Sequence, residues 1–159
     1  MVFAGGFVNP LCRGISPITN HPLSDTLQEI REEDPEARFL CVDDSWPITE
    51  FLLANGVKTI NATNFYPAGD YEIIDEKKEF TDAYNRYCHE SIQLYEGDLS
   101  IEVLHTDSIL IHMNPEHLKK LEIDYLLSGD DVSALLEKYG IDSTVLLEQD
   151  GRRLYKLIY

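Results

Sequence analysis

The chain has 159 residues, of which 43% are hydrophobic and 26% are charged, a composition typical of a folded domain with its own core. It carries 13 Lys and Arg against 29 Asp and Glu, a net charge of −16, and no basic stripe interrupts this acidity. A nucleic-acid backbone and an anionic lipid surface would both be repelled, so we expect neither as a partner.

The cysteines and the apolar segments exclude further classes of protein. Cys12, Cys41 and Cys88 contain no C-x-x-C pair, so their spacing predicts no zinc site and no redox motif, and their redox state stays open. No stretch approaches the roughly 20 apolar residues of a membrane span. The N-terminus lacks the charged and apolar regions of a signal peptide.

The chain is predicted to divide into an arm and one domain. Residues 1–22 are predicted to be an irregular arm, rich in Pro, Gly, Asn and Ser from residue 9 onward. Residues 23–159 are predicted to form a single α/β domain. It begins with a helix, because Leu23, Leu27 and Ile30 recur at helical spacing.

A Rossmann-like βαβ unit follows this helix. Residues 38–42 (RFLCV) are an apolar run typical of a buried strand, and residues 57–60 are a second short strand. The helix between them has Pro47 in its first turn and ends at Gly56. The two strands are therefore expected to be parallel, with a right-handed crossover.

The rest of the chain alternates strands and helices. Helices are predicted over about 75–87, from 115 and over 132–139, and strands near 91–95, 99–104, 108–113, 123–127, 143–148 and 152–158. The strands at 99–104 and 108–113 form a hairpin, and the dipeptide Asp150-Gly151 predicts a type I′ turn in the last one. Together these elements predict an α/β fold: a mixed, mostly parallel central sheet with antiparallel hairpins added and helices packed against it.

Polar and aromatic residues follow the two parallel strands, where ligands bind in open α/β sheets. They are Asp43, Asp44 and Trp46 after the first strand, and Asn61, Asn64 and Tyr66 after the second. Aromatic rings with amides and carboxylates suit a sugar or another small polar ligand. The alternative is structural, in which the acidic residues cap the next helix and the asparagines satisfy turns.

A second group of candidates lies at the end of the predicted helix 75–87. One face of this helix would hold Asn85, Arg86 and His89. These residues either anchor an anionic or hydroxylated group or complement the negative end of the helix. We predict that one solvent-reachable depression holds Asn61, Asn64, Tyr66, Asn85 and Arg86. The rival expectation is that Asn61 and Asn85 are buried and only brace the loop between them.

No complete catalytic or metal-binding motif is present in the sequence. There is no dinucleotide fingerprint, P-loop, H-E-x-x-H, G-x-S-x-G or EF-hand loop. His105, His112 and His117 do not have a recognised ligand spacing. We therefore expect that the isolated domain has no catalytic residue, metal or cofactor.

Two motifs resemble a known family. Residues 61–67 (Asn-Ala-Thr-Asn-Phe-Tyr-Pro), followed by Tyr84-Asn-Arg-Tyr and His89, resemble the C-terminal soluble domain of a family of bacterial polytopic membrane proteins. Those proteins look like GT-C-type glycosyltransferases, which take sugars from lipid-linked donors. Residues 9–22 and 118–128 are also similar. The resemblance implies an extracytoplasmic domain after the last membrane span, with the catalytic acidic residues on loops elsewhere.

Three functional hypotheses follow from these observations. The first is a non-catalytic extracytoplasmic accessory domain of a glycosyltransferase-like membrane protein, with its own upstream transmembrane region as partner and contacting a glycan acceptor or a lipid-linked sugar. The second is a freestanding domain that binds a small polar ligand. The third is a small cytoplasmic enzyme whose site has no recognised motif.

Overall fold

The computed structural model describes residues 16–42, 46–63, 69–85 and 89–159, and its elements form an α/β fold. The helices are α1 (Ser16–Thr19), α2 (Pro22–Glu33), α3 (Trp46–Ala54), α4 (Thr81–Tyr84), α5 (Glu116–Lys120) and α6 (Ser133–Lys138), with a 3-10 helix at Gly69–Ile73. The strands are β1 (Arg38–Val42), β2 (Lys58–Thr59), β3 (His89–Leu94), β4 (Ser100–His105), β5 (Ser108–Met113), β6 (Tyr125–Ser128), β7 (Asp142–Gln149) and β8 (Arg152–Ile158). Within these ranges no helix has the length and apolarity needed to cross a bilayer.

The predicted βαβ unit lies in a five-stranded sheet with the order β2-β1-β6-β8-β7. Strand β1 is parallel to β2, as expected, and also to β6, whereas β8 is antiparallel to β6 and β7. Strand β1 is apolar throughout because both of its faces are covered. Phe39 and Cys41 pack with α2 and α3 on one face, whereas Leu40 and Val42 belong to the core on the other face.

Strands β3, β4 and β5 form a second sheet with the order β3-β5-β4, which corrects the prediction of one central sheet. Strand β5 is parallel to β3 and antiparallel to β4, so three of the six strand pairings in the two sheets are parallel. The apolar face of this sheet, which includes Ile92, Ile109 and Ile111, packs in one core with Leu40 and Leu126 of the larger sheet. The second sheet therefore covers the second apolar face of β1.

The predicted helix over residues 75–87 is wrong in the part that the structure describes. A turn occupies the residues after the 3-10 helix, and α4 has four residues, while residues 86–88 lie outside the described ranges. The carboxylate of Asp75 explains the difference, since it accepts the main-chain N–H groups of Glu79 and Phe80 at 3.0 and 2.8 Å. A side chain that binds these N–H groups competes directly with a helix.

The N-terminal and C-terminal predictions have different outcomes. Residues 1–15 of the predicted arm lie outside the described residues, whereas Ser16–Thr19 forms α1 and Pro22 begins α2.

The predicted C-terminal hairpin of β7 and β8 is confirmed. Asp150 and Gly151 have φ values of 52° and 74°, and a type I′ turn requires positive φ at both positions.

One buried hydroxyl group joins α6 to the larger sheet and generates a test of the fold. Tyr155 of β8 is fully buried, and its hydroxyl oxygen lies 3.4 Å from the main-chain nitrogen of Val132, from which it accepts. The same hydroxyl donates to the carboxylate of Asp131 at 3.2 Å.

We expect Tyr155→Phe to lower the free energy of unfolding by about 1–3 kcal/mol, because the buried N–H group of Val132 loses its acceptor. Tyr125→Phe is the matched control, since the Tyr125 ring is stacked on Phe39 and its hydroxyl has no hydrogen bond to a described residue. The control should stay within about 0.5 kcal/mol of the wild type. Urea denaturation measures both values, and equal losses would contradict this account.

Candidate functional site

A cavity of about 390 Å³ opens where the two sheets meet. Its described lining comes from α3, from the chain that leaves β2, from the start of β3, and from β4, β5 and the turn between them. The lining residues are Thr49, Asn61, Thr63, His89, Glu90, Ser91, Leu104, His105, Asp107 and Ser108. The cavity therefore lies at the carboxyl end of β2, and its volume is within the range of small-molecule sites, roughly 300–1,000 Å³.

Asn61 shapes the wall of the cavity by pairing with the main chain of β1. Its Oδ1 accepts the N–H of Cys41 at 3.1 Å, and its Nδ2 donates to the carbonyl of the same residue at 2.7 Å. Strand β2 has only two residues, and the last main-chain hydrogen bond to β1 runs from the N–H of Ile60 to the carbonyl of Phe39. Beyond it, the side-chain amide of Asn61 takes the place of the main-chain groups that a longer β2 would provide. The chain is thereby free to leave the sheet at this point.

The chain that leaves β2 is attached to α3. The main-chain N–H of Thr63 donates to the carboxylate of Glu50 at 3.1 Å. Thr49, the neighbouring residue on α3, is buried and also lines the cavity. Helix α3 thus positions two of the hydroxyl groups of the site.

His89 and Asp107 join the start of β3 to the β4–β5 turn. The Nδ1 atom of His89 lies 3.2 Å from the carbonyl oxygen of Asp107 and 3.4 Å from its carboxylate Oδ2. Both neighbours are acceptors, so Nδ1 carries the hydrogen, and the neutral ring has its lone pair on Nε2. The neutral imidazole therefore offers an acceptor at Nε2.

Glu90 places a carboxylate on the core side of β3. Ile92 and Leu94 share this face by strand alternation, and Glu90 is 7% exposed. Glu90 is among the residues that line the cavity, but both of its carboxylate oxygens are buried. A carboxylate in a row of core-facing positions costs free energy unless it serves a site or a partner.

Leu104 supplies the apolar part of the lining. The register between β4 and β5 shifts between Val103 and His105, so Leu104 is the extra residue of a β-bulge. Its side chain is 41% exposed and lines the cavity beside polar groups. A bulge at this position turns an apolar surface toward the site.

The structure brings together two of the nine predicted site residues, since Asn61 and His89 line the same cavity. Asn85 follows α4 as its C-cap, is exposed, and is not among the described lining residues. Trp46 begins α3, but its side chain lies outside the described part of the structure. The remaining five predicted residues are Asp43, Asp44, Asn64, Tyr66 and Arg86, which also lie outside the described ranges.

The rival expectation of a structural role fits one asparagine and not the other. Asn61 is buried and braces β1, as that expectation requires, and it lines the cavity at the same time. Asn85 is exposed, and its side chain braces no loop among the described residues. The proposed depression with Asn64, Tyr66 and Arg86 stays a prediction.

Several lining residues were not predicted from the sequence. The residues of the β4–β5 turn reach the site only because β5 lies parallel to β3 and places Ser108 opposite His89. No local pattern signals that pairing. Glu90 did have a signal, because a carboxylate aligned with Ile92 and Leu94 breaks an otherwise apolar face.

A second cavity, of about 280 Å³, lies between the turn after the 3-10 helix and α5. Three of its charged groups are engaged, since the carboxylate of Asp75 accepts two main-chain N–H groups and Lys120 pairs with Glu76 at 2.6 Å. Burial, together with the nearby ammonium of Lys120, lowers the pKa of the His117 imidazole. His117 is therefore neutral at pH 7, and this cavity offers less for a ligand than the first.

A third cavity is small and apolar. It encloses about 80 Å³ between α2, α3 and the larger sheet, and leucines, Ile48 and Phe51 form most of its lining. His21 closes one end, since its Nε2 lies 3.1 Å from Oδ2 of Asp150 and its Nδ1 accepts the N–H of Leu23. This volume is below that of ordinary small-molecule sites, roughly 300–1,000 Å³.

The three histidines considered as metal ligands lie in different places. His105 lines the first cavity, His112 packs against the ring of Tyr95, and His117 lines the second cavity. Across residues 16–42, 46–63, 69–85 and 89–159, no three His, Cys, Asp or Glu side chains are grouped so that they could hold a metal ion.

The double role of Asn61 leads to a prediction about stability. We expect Asn61→Ala to lower the free energy of unfolding by about 2–4 kcal/mol, because two buried main-chain groups of Cys41 lose their partner. Asn85→Ala is the matched control and should change stability by less than about 0.5 kcal/mol, since this asparagine is exposed. Urea denaturation gives both values, and a neutral Asn61→Ala variant would show that the amide does not support β1.

Residues 17–159 match the profile of a protein family described as a domain of unknown function (DUF7654). Comparison with curated proteins and with solved structures gives no significant match. The matched region includes both sheets and all ten described residues that line the large cavity. The chain therefore belongs to the DUF7654 family of domains.

Proposed function

We propose that this domain binds a neutral, hydroxylated ligand, such as a sugar unit of a glycan, in the cavity between the two sheets. We further propose that it is a non-catalytic accessory domain of a glycosyltransferase-like membrane protein. The observation that carries the first proposal is the chemistry of the cavity lining. The second proposal is supported by the sequence resemblance at residues 61–67 and 84–89.

The described lining offers the groups that hydroxyl ligands use. Its ten residues carry four hydroxyls, two imidazoles, two carboxylates, one amide and one leucine. Of these, the carboxylate of Glu90 is buried and the amide of Asn61 pairs with Cys41. Hydroxyls and amides both donate and accept hydrogen bonds, and carboxylates accept from pairs of sugar hydroxyls. Leu104 adds an apolar contact for the C–H face of a ring.

The same lining favours an uncharged ligand over a phosphate. No Lys or Arg is among its ten described residues, so the bidentate donors that bind phosphate groups are missing from this set. The exposed carboxylate of Asp107 would also repel a phosphate at short range. In a lipid-linked sugar, the sugar rather than the phosphate would be the bound part.

The proposed location follows from the resemblance and is compatible with the charge. The domain would lie on the extracytoplasmic face of the bacterial membrane, joined to its own upstream transmembrane region, with the cavity available to a glycan acceptor or to a lipid-linked sugar. A net charge of −16 would keep such a domain from lying flat on anionic headgroups.

A hydrolytic enzyme is the second candidate, and a specific geometry favours it. His89 is paired with Asp107, and Ser108 is its register partner on β5, so a hydroxyl, an imidazole and a carboxylate lie at one end of the small sheet. Nucleophilic catalysis requires a hydrogen bond between the hydroxyl and the imidazole. Neither Ser91 nor Ser108 makes such a bond to His89 within the described residues, so binding is the better supported function.

The binding proposal predicts the effect of a single substitution. We expect neutral mono- and disaccharides of glucose, mannose, galactose or N-acetylglucosamine to bind in isothermal titration calorimetry. Asp107→Ala should weaken that binding about tenfold, because the ligand loses one charge-assisted hydrogen bond to the carboxylate, whereas the main-chain carbonyl that holds His89 is kept. Asp142→Ala is the control, since it removes the same charge from an exposed position on the far edge strand β7.

Two results would overturn the binding proposal. One is equal loss of affinity in the Asp107→Ala and Asp142→Ala variants. The other is tighter binding of the sugar phosphates than of the corresponding neutral sugars. Turnover of acetyl esters or glycosides that is abolished by His89→Ala would favour the hydrolytic candidate instead.

The proposed location has its own test. When the natural reading frame is expressed in bacteria, we expect the domain to sediment with membranes and to be cleaved by protease added outside spheroplasts. A domain that stays in the supernatant, or that is cut only after the membrane is broken, would contradict an extracytoplasmic membrane-attached position.

A further inference from the structure

The face of the small sheet opposite the core begins at the cavity and extends away from it along β3 and β5. In the parallel pair of β3 and β5, strand alternation places Ile92 and Ile111 toward the core. The opposite face, called here the outer face, carries His89, Ser91 and Gln93 of β3 and Ser108, Leu110 and His112 of β5. Gln93 is exposed and the other five are half-buried. His89, Ser91 and Ser108 also line the cavity, so the outer face continues directly from it.

The outer face is chemically unlike the rest of this acidic protein. Its six residues on β3 and β5 include no carboxylate, lysine or arginine, although 29 of the 159 residues in the chain are acidic. Glu102 of β4, the register partner of Leu110, places one carboxylate at the edge of this face. Five of the six residues carry hydroxyl, amide or imidazole groups, and Leu110 is the one apolar residue among them. The part of this face on β3 and β5 can therefore pair with hydroxyl groups.

An aromatic ring is held at the far end of the outer face. Tyr95 follows β3, and its ring contacts His112 edge to face with the centroids 5.6 Å apart. The hydroxyl of Tyr95 donates to the carbonyl of Asp98, and a Cβ atom at Gly97 would lie 2.5 Å from the ring. The ring therefore lies over Gly97, whose carbonyl in turn accepts from Asn114 at 3.1 Å. These contacts fix the ring before any ligand arrives.

We propose that the ligand is an extended glycan chain, with one unit in the cavity and further units along the outer face as far as Tyr95. This inference rests on the proposed sugar binding and adds the class of ligand, a neutral oligosaccharide of several units. Strand β3 spans about 17 Å from His89 to Leu94, at about 3.3 Å per residue, which is longer than a single sugar ring. Tyr95 supplies a flat apolar surface against which the last ring packs.

The test compares ligands of different length and variants at the far end. Isothermal titration calorimetry is carried out with glucose, mannose, galactose and N-acetylglucosamine oligosaccharides of one to six units. For the sugar that binds, we expect the hexamer to bind about three- to tenfold more tightly than the dimer, because packing on one aromatic ring contributes a gain in affinity of this size. Tyr95→Ala should abolish this gain and leave the affinity for the dimer unchanged.

Two further variants make the result specific. Gly97→Ala keeps the Tyr95 side chain but forces its ring to move, so it should also reduce the gain with length. Tyr139→Ala removes a half-buried tyrosine at the end of α6 and should leave the gain intact. Circular dichroism and urea denaturation establish that each variant is folded.

The outcomes separate this inference from the function on which it rests. Equal affinity for dimer and hexamer, or a hexamer affinity that Tyr95→Ala leaves unchanged, overturns the extended chain while sugar binding in the cavity stands. If no oligosaccharide of the panel binds at millimolar concentration, the proposed function is overturned and the extended chain with it.

Discussion

The cavity depends on one side chain that takes the place of main chain. Strand β2 has two residues, and without Asn61 the N–H and carbonyl groups of Cys41 would lose these hydrogen bonds inside the protein. Buried main-chain groups are paired almost without exception, so an early end to β2 requires a substitute. The amide of Asn61 supplies both a donor and an acceptor. The chain can therefore turn away from the sheet toward Thr63. The space beside β1 that a longer β2 would have filled then stays open.

The second sheet forms the opposite wall of the cavity. Its apolar face shares a core with Leu40 and Leu126, which fixes the distance between the two sheets. The parallel register of β3 and β5 then sets His89 beside Ser108, and the hydrogen bonds of His89 to Asp107 hold the β4–β5 turn against the start of β3. The site is thus made where two independently paired sheets meet, and neither sheet alone contains it.

The acidic groups of this protein serve structure in several places. The carboxylate of Asp75 holds a turn through main-chain N–H groups, and Asp124 accepts the N–H of Arg38 at 2.9 Å. Glu76 and Glu96 pair with lysines on other elements. On the outer face of the small sheet, by contrast, β3 and β5 present uncharged polar groups. The uncharged groups of β3 and β5 therefore supply the neutral part of the candidate binding surface, and the carboxylate of Asp107 supplies an acidic part.

Local patterns predicted the elements well, and long-range pairing accounts for most of what they missed. Helix α2 and strand β1 could be predicted because Leu23, Leu27 and Ile30 repeat with the helical period and because RFLCV is apolar on both faces. The parallel pairing of β3 with β5 has no local signal, since the two strands lie on either side of β4 in the chain. The helix over 75–87 failed because the periodicity of apolar residues ignores the hydrogen bonds of Asp75. Asn61 was predicted as a ligand residue from its strand end and His89 from the end of the predicted helix 75–87, and the structure places both at one cavity.

The central claim is that the cavity between the sheets is where the ligand binds. The most direct measurement is a two-dimensional ¹H–¹⁵N NMR titration of the domain with the neutral oligosaccharide that binds most tightly. The account predicts that the amides of Thr63, of residues 89–91 and of residues 105–108 shift together with one dissociation constant. It would be contradicted if those amides stayed unchanged while the shifts concentrated elsewhere, for example around the β7–β8 hairpin.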